Sequence, residues 1–255
     1  PMLVGQGGSG TVFFSWCCLR CEFCQNWQIS HQGEGRNGHY KELARVFLAL
    51  GSQGVENINL VTPTQYILPI LAALEIAYAE GLDVPLVYNT NGYDAEGLVR
   101  LLDGVVDIWL PDLKYMAPEP AERFSGARNY PETARAAVRR MYEQAGPLRL
   151  EEGIAVGGLL IRHLVLPDSL SGSYDFLLWL HDAGITDATI SLMSQYSPQY
   201  RASLHPEIAR PISVKEYQDV VAFAEKLGFE NVLIQEMGSR EVFLPDFNKD
   251  QPFQQ

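Results

Sequence analysis

Cys17, Cys18, Cys21 and Cys24 are the four cysteines of this 255-residue chain, and all fall within eight positions. No distant thiol is left to staple the fold, so the pattern reads as metal binding in a reducing compartment, and the chain is placed in the cytoplasm. Taking Cys17, Cys21 and Cys24 gives the spacing C-x3-C-x2-C. Three thiolates on one tight loop can hold three irons of a four-iron, four-sulfur cube, which leaves the fourth iron open to an external ligand. Zinc would want a fourth protein ligand, and the nearest candidates, His31 and His39, sit at no familiar zinc spacing. Cys18 offers a rival set, Cys18, Cys21 and Cys24, at C-x2-C-x2-C.

A loop of this kind needs rigid elements on either side. Short stretches rich in Val, Ile, Leu and aromatics at 10–16, 57–61, 85–89, 105–110, 159–166 and 189–193 read as buried strands, with 232–236 as one more. Between them, apolar residues recur at helical spacing over 40–50, 66–79, 95–102, 131–144, 174–183 and 214–227. Six strand-helix alternations imply parallel strands with helical crossovers, in a core spanning 1–244 followed by a polar, loose tail at 245–255. In such a sheet, open or curled, ligands bind beyond the carboxyl ends of the strands. The cysteines follow the first strand and so lie at that end.

The cysteine loop resembles the signature of the radical S-adenosylmethionine (SAM) superfamily. The resemblance extends through Asn59-Leu60-Val61-Thr62-Pro63-Thr64, Tyr88-Asn89-Thr90-Asn91-Gly92-Tyr93, Leu110-Pro111-Asp112-Leu113-Lys114-Tyr115 and Arg162-His163-Leu164-Val165-Leu166-Pro167. Together these look like an uncharacterised branch related to pyruvate formate-lyase activating enzyme. The resemblance implies an incomplete parallel (β/α)6 barrel, with a [4Fe-4S] cluster on Cys17, Cys21 and Cys24 and SAM on its open iron. It favours Cys17 over Cys18, because the x3 interval matches the superfamily. Family members usually carry Gly and Asn where this chain has Trp16 and Cys18, and relatives commonly carry a Gly-Gly-Glu run after the second strand where it has Val61-Thr62-Pro63-Thr64-Gln65.

The resemblance also implies SAM contacts. Phe23 is expected against the adenine, and Asn26, Thr62, Asn89, Thr90, Lys114, Arg162 and Gln195 at the other groups of the cofactor. Read from spacing alone, Asn89 to Gly92 is an Asn-Gly turn, and Asp112 and Lys114, two apart, leave one face of an extended chain. Arg162 would be costly to bury without an anionic partner, whereas His163 points to the opposite face as a satisfied core histidine. The activity implied is reductive cleavage of SAM to a 5′-deoxyadenosyl radical that takes hydrogen from a substrate, such as a glycine of a partner enzyme. Alternatives are radical modification of a peptide side chain or small metabolite, and a non-catalytic iron-sulfur protein for electron transfer or sensing. A flavodoxin- or ferredoxin-like donor would supply the electron. With 31 acidic against 19 basic side chains, nucleic acid and anionic membranes are not expected partners. The exception to the acidic balance is 123–149, which holds Arg123, Arg128, Arg135, Arg139, Arg140 and Arg149 against Glu132 and Glu143. That segment is a candidate docking patch for an acidic donor, or else a solvated face neutralised by acidic neighbours.

Overall fold

The computed structural model describes residues 2–240 and 245–247. Its strands are β1 (Ser9–Phe13), β2 (Asn57–Val61), β3 (Leu86–Thr90), β4 (Ile108–Pro111), β5 (Arg149–Glu151), β6 (Ile154–Leu164), β7 (Thr189–Met193) and β8 (Val232–Ile234). Its helices are α1 (Trp27–Gln32), α2 (Tyr40–Gly51), α3 (Ile67–Ala79), α4 (Glu96–Leu101), α5 (Pro118–Ser125), α6 (Tyr130–Ala145), α7 (Ser173–Asp182) and α8 (Val214–Lys226). The sheet runs β1-β2-β3-β4-β6-β7-β8 with every neighbouring pair parallel, and β5 adds to β6 as an antiparallel hairpin. β1 and β8 do not pair, so the barrel is incomplete, as expected.

Alternation along the strands divides the interior into two layers. Ile58, Leu60, Tyr88, Trp109, Leu159, Ile161, Ile190 and Leu192 pack outward with the helices in one large apolar core. Their neighbours Val87, Ile108, Leu110 and Leu160 form a small inner cluster with Ala155, against which Met2 and Leu3 pack. The N-terminal segment thus plugs the amino end of the barrel, with Ala155 N–H donating to Met2 O and Asn57 Nδ2 to Leu3 O. By the same alternation Asn59, Val61, Asn89, Asp112 and Arg162 belong to the inner face, and cross-strand register sets them in rows. Thr11 lies beside Asn59 and Asn59 beside Val87. Two residues further on, Val61 lies beside Asn89 and Asn89 beside Leu110, and beyond these Asp112 bridges to Arg162.

Local chemistry fixes the ends. Capping boxes open α2 (His39 with Glu42) and α8 (Ser213 with Glu216). Gly158, at φ +104°, sits where an added Cβ would come within 2.2 Å of Pro147 O, so only glycine lets β6 pass the hairpin. Among the described residues no helix is long and apolar enough to cross a membrane. Of the segment 245–255, Pro245–Phe247 are described. They are fastened rather than free: Gln28 Nε2 donates to Asp246, Phe247 N–H donates to Gln28 Oε1, and the Phe247 ring meets Phe13 edge-on at 5.3 Å. Residues 248–255 and 241–244 lie outside the described residues.

Candidate active site

The cysteine loop leaves β1 through Trp16, which holds φ 64°. Glycine enters this left-handed region freely, whereas a tryptophan is strained there, and such strain concentrates at functional sites. Trp16 N–H donates to Ile29 O, and its ring lies so close over Gly33 that a Cβ there would come within 2.4 Å. Further along, Arg20 N–H donates to Ser125 O and Glu22 N–H to Phe124 O, which sews the loop to the end of α5. On the other flank Arg201 N–H donates to Glu22 O and His205 Nε2 lies 3.4 Å from the Glu22 carboxylate. The loop is therefore clamped between α5 and the long connection from β7 to α8.

Cys17, Cys21 and Cys24 line one cavity of about 540 Å³ at the carboxyl ends of the strands. Cys18 is exposed and not part of its wall. Each of the three cavity-facing sulfurs has a polar neighbour: Asn91 Nδ2 lies 3.2 Å from Cys17 Sγ, Ser125 Oγ 3.1 Å from Cys21 Sγ and Ser30 Oγ 3.0 Å from Cys24 Sγ. The Cys18 thiol hydrogen-bonded to Cys17, together with Leu19 N–H, Asn91 and Lys114, holds Cys17 down at about 6 against its burial. Burial pushes Cys21 up to about 12, despite Lys114, and raises Cys24.

These observations test whether the residues fit an iron-sulfur cube. Among the described residues no three His, Cys, Asp or Glu side chains converge as a single ion requires. A cube asks for separate sulfurs, one per corner, facing a common space, and three of the four thiols meet that demand. The donor set fits.

Above the apolar plug, the cavity wall carries a belt of charge. Asp112 Oδ2 accepts from Lys114 Nζ at 2.5 Å, Asp112 Oδ1 lies 2.8 Å from Arg162 Nε, and Arg162 donates to Asn89 Oδ1 at 2.7 Å. Burial alone would raise Asp112, but Arg162 and Lys114 outweigh it and hold the carboxyl below its ordinary value. Burial likewise opposes the charge of Lys114, and Asp112 with Cys21 more than restores it. Two cations share one carboxylate, so the belt keeps one positive charge for a bound anion. Although close, Arg162 Nε and Asp112 Oδ1 are not aligned as a hydrogen bond, and both atoms are buried without one.

The expected residues mostly meet here. Asn26, Thr62, Asn89, Thr90, Lys114, Arg162 and Gln195 all border the cavity with the three cysteines. Phe23 does not: it is buried edge-on against Tyr196, ring centroids 5.6 Å apart, and is absent from the cavity wall. The Thr90 hydroxyl is committed to Asp94, which also accepts from Thr64 and Tyr88. Thr62 stands at φ 58°, and Gln65 Nε2 donates to the carbonyls of Ser15, Trp16 and Thr62, tying the first two strand-end loops together. His163 is the satisfied core histidine expected, bonded to Leu113 O and Ser173 Oγ and stacked on Phe176. Among the wall residues that escaped the sequence reading are Thr11, Ser30, Asn59 and Gln235. The Asn59 Oδ1 is buried with no donor, a state that costs about 1–3 kcal/mol. Strand alternation could have flagged Asn59; its missing partner is visible only in three dimensions.

Comparison with known proteins agrees with this geometry. Residues 11–150 match the family model described as the radical SAM superfamily. Over 231 residues the chain is 31% identical to an uncharacterized protein of Methanocaldococcus jannaschii, covering 87% of this chain and 63% of that protein. Among solved structures, Streptococcus suis SuiB bound to the precursor peptide SuiA superposes with a TM-score of 0.59 at 15% identity, over 94% of this chain and 52% of that one. The FeFe-hydrogenase maturase HydG of Carboxydothermus hydrogenoformans gives 0.55 at 16% identity, over 89% and 52%. This chain thus spans less than two thirds of the curated relative and about half of each solved neighbour.

Proposed function

This chain belongs to the radical SAM superfamily, and from that premise we propose that it cleaves SAM reductively and abstracts a hydrogen atom from a polypeptide, with a glycine of a partner enzyme as the favoured target. The observation that carries the reading is the sharing of one cavity by Cys17, Cys21, Cys24 and the Asp112-Lys114-Arg162 belt. When bound, a [4Fe-4S] cluster with SAM supplies one electron to the sulfonium and a 5′-deoxyadenosyl radical that takes hydrogen from the substrate.

The chain's own residues do the rest. Asn91, Ser125 and Ser30 orient the three sulfurs and favour their anionic form through hydrogen bonds. Lys114 and Arg162, held in place by Asp112, receive the methionine carboxylate of the cofactor. The apolar plug of Val87, Ile108, Leu110 and Leu160 closes the far end of the barrel to water. Cys18, off the wall, leaves the cluster without a fourth thiolate, which weighs against a closed electron-transfer centre. A peptide target accords with the fold shared with the peptide-bound SuiB structure.

The test is anaerobic reconstitution followed by dithionite and SAM. Release of 5′-deoxyadenosine and methionine in equal amounts is expected; intact SAM over a fully reduced cluster would overturn the proposal.

A further inference from the structure

Many polar side chains of the cavity wall are hydrogen-bonded. Asn91 uses its Nδ2 on the sulfurs and its Oδ1 on Tyr93 N–H. Gln235 accepts from Ser194 N–H and donates to Gln195 Oε1, while Asn89 Oδ1 accepts from Arg162. Asn59 Oδ1 is buried with no hydrogen-bond partner, and Gln195 Nε2 reaches only the Met193 sulfur at 3.8 Å. Both residues line the cavity, Gln195 four residues beyond Ser191, the register partner of Arg162, and Asn59 on the inner face of β2.

The depth of Asn59 says what reaches it. Asn59 sits two residues before Val61, whose register partner is Asn89, so it lies about one side-chain layer, some ~7 Å along the strand, below the charged belt. Its row holds Thr11 and Val87, and the floor beneath is apolar. No charged side chain at that level matches a carboxylate, phosphate or ammonium. A group arriving there has passed the level at which the thiols and the belt fasten the cofactor.

We propose that Asn59 binds a neutral backbone amide of the substrate, its Oδ1 accepting the amide N–H. The inference rests on the reading of the chain as a SAM-cleaving enzyme and adds a residue that seats the substrate.

The probe is N-acetylglycine N-methylamide carrying deuterium on its α carbon, given to the reconstituted protein with SAM and dithionite. One electron from dithionite breaks the sulfonium bond to C5′. The C5′ radical then takes a deuterium atom, which forms C5′–D and leaves the radical on the α carbon of the probe. Deuterated 5′-deoxyadenosine is expected from the unaltered protein, and at least tenfold less from Asn59→Leu, which keeps the size but loses both polar ends. Asn59→Asp, which keeps the acceptor, should fall between them and also serves if the leucine variant fails to load a cluster. SAM affinity by calorimetry and unlabelled 5′-deoxyadenosine release should stay within twofold in both. A tenfold loss of SAM affinity in Asn59→Leu would overturn the proposal by assigning Asn59 to the adenine. Equal labelling in parent and variant, including none in either, would overturn it too. If the parent releases no 5′-deoxyadenosine, the enzymatic reading fails on its own. Ligand-observed NMR of the unlabelled amide then decides Asn59, since loss of binding in Asn59→Leu supports the seat and unchanged binding rejects it.

Discussion

Asn91 Nδ2 lies 3.2 Å from both the Cys17 and the Cys18 sulfur, yet only Cys17 faces the cavity. On the proposed ligand set, removing a sulfur that faces the cavity leaves one iron unanchored, whereas Cys18 serves only as a hydrogen-bond partner of Cys17. Cys17→Ala, Cys21→Ala and Cys24→Ala should therefore each lose most bound iron after reconstitution and Cys18→Ala keep it, as iron and sulfide assays would read; the reverse result for Cys17 and Cys18 would reassign the ligands. His163 allows a second prediction. Burial lowers it to about 4, so the folded state prefers its neutral form and the unfolded state binds the proton first. A lowered pKa contributes stability in full above the unfolded value near 6.5, and that stability is lost as pH falls towards 4, up to about 3 kcal/mol. Denaturant titrations should show this loss, and His163→Gln should be less stable at pH 7 but flatter between pH 6.5 and 4. At this scale the cysteines were legible because neighbours in sequence make the cluster loop. The Asp112-Lys114 pair was legible from period two, but the closure of the triad by Arg162, fifty residues on, needed the strand order.

Among elements, the six strands and six helices read from periodicity all exist, with boundaries moved by a few residues. The first strand ends at Phe13 rather than at position 16, because Trp16 turns left-handed. α1, α5 and β5 were missed, since six, eight and three residues are too short to show a period. Two of them matter to the site, as α5 anchors the cysteine loop and α1 supplies Ser30. Asp94, just past β3, binds the turn after β2 through Thr64 and β3 itself through Tyr88 and Thr90. Asp94→Ala removes the acceptor of three hydroxyls, two of them on the buried Tyr88 and Thr90, and should cost about 2–4 kcal/mol by denaturant unfolding, with SAM affinity falling because the β3 tip shifts. Unchanged stability would mean that water replaces the carboxylate. Gly92 is tighter still: at φ +78° an added Cβ would come within 2.1 Å of Asp112 O. Gly92→Ala should disturb the belt, seen as weaker SAM binding with cluster content retained; normal affinity would show that the β4 tip gives way without consequence.

Taken whole, the molecule favours one of the two readings of the basic segment, the face with acidic neighbours. Half of the six arginines at 123–149 are neutralised: Arg123 pairs with Glu207, Arg128 with Glu122, and Arg140 with Glu96 and Glu143. The acidic neighbours come mostly from outside the segment, so sequence counting could not see them. Arg135, Arg139 and Arg149 are left without a carboxylate among the described residues, and the first two lie on α6 beside Arg140 and its partners rather than on the cysteine loop. Arg135→Glu combined with Arg139→Glu should leave cluster reduction by flavodoxin within twofold of the parent at low salt, with dithionite as control; a large, salt-sensitive slowing would restore the docking patch. The unpaired edges of β1 and β8 carry a different consequence. A complete ring admits a chain only end first, as thread passes a needle. A ring with a slit accepts a bight of rope from the side, so on the proposed reading a loop whose two ends are both anchored in a folded partner is laid in past Pro245–Phe247, which rest on Gln28 and Phe13 at that edge, without unfastening either end.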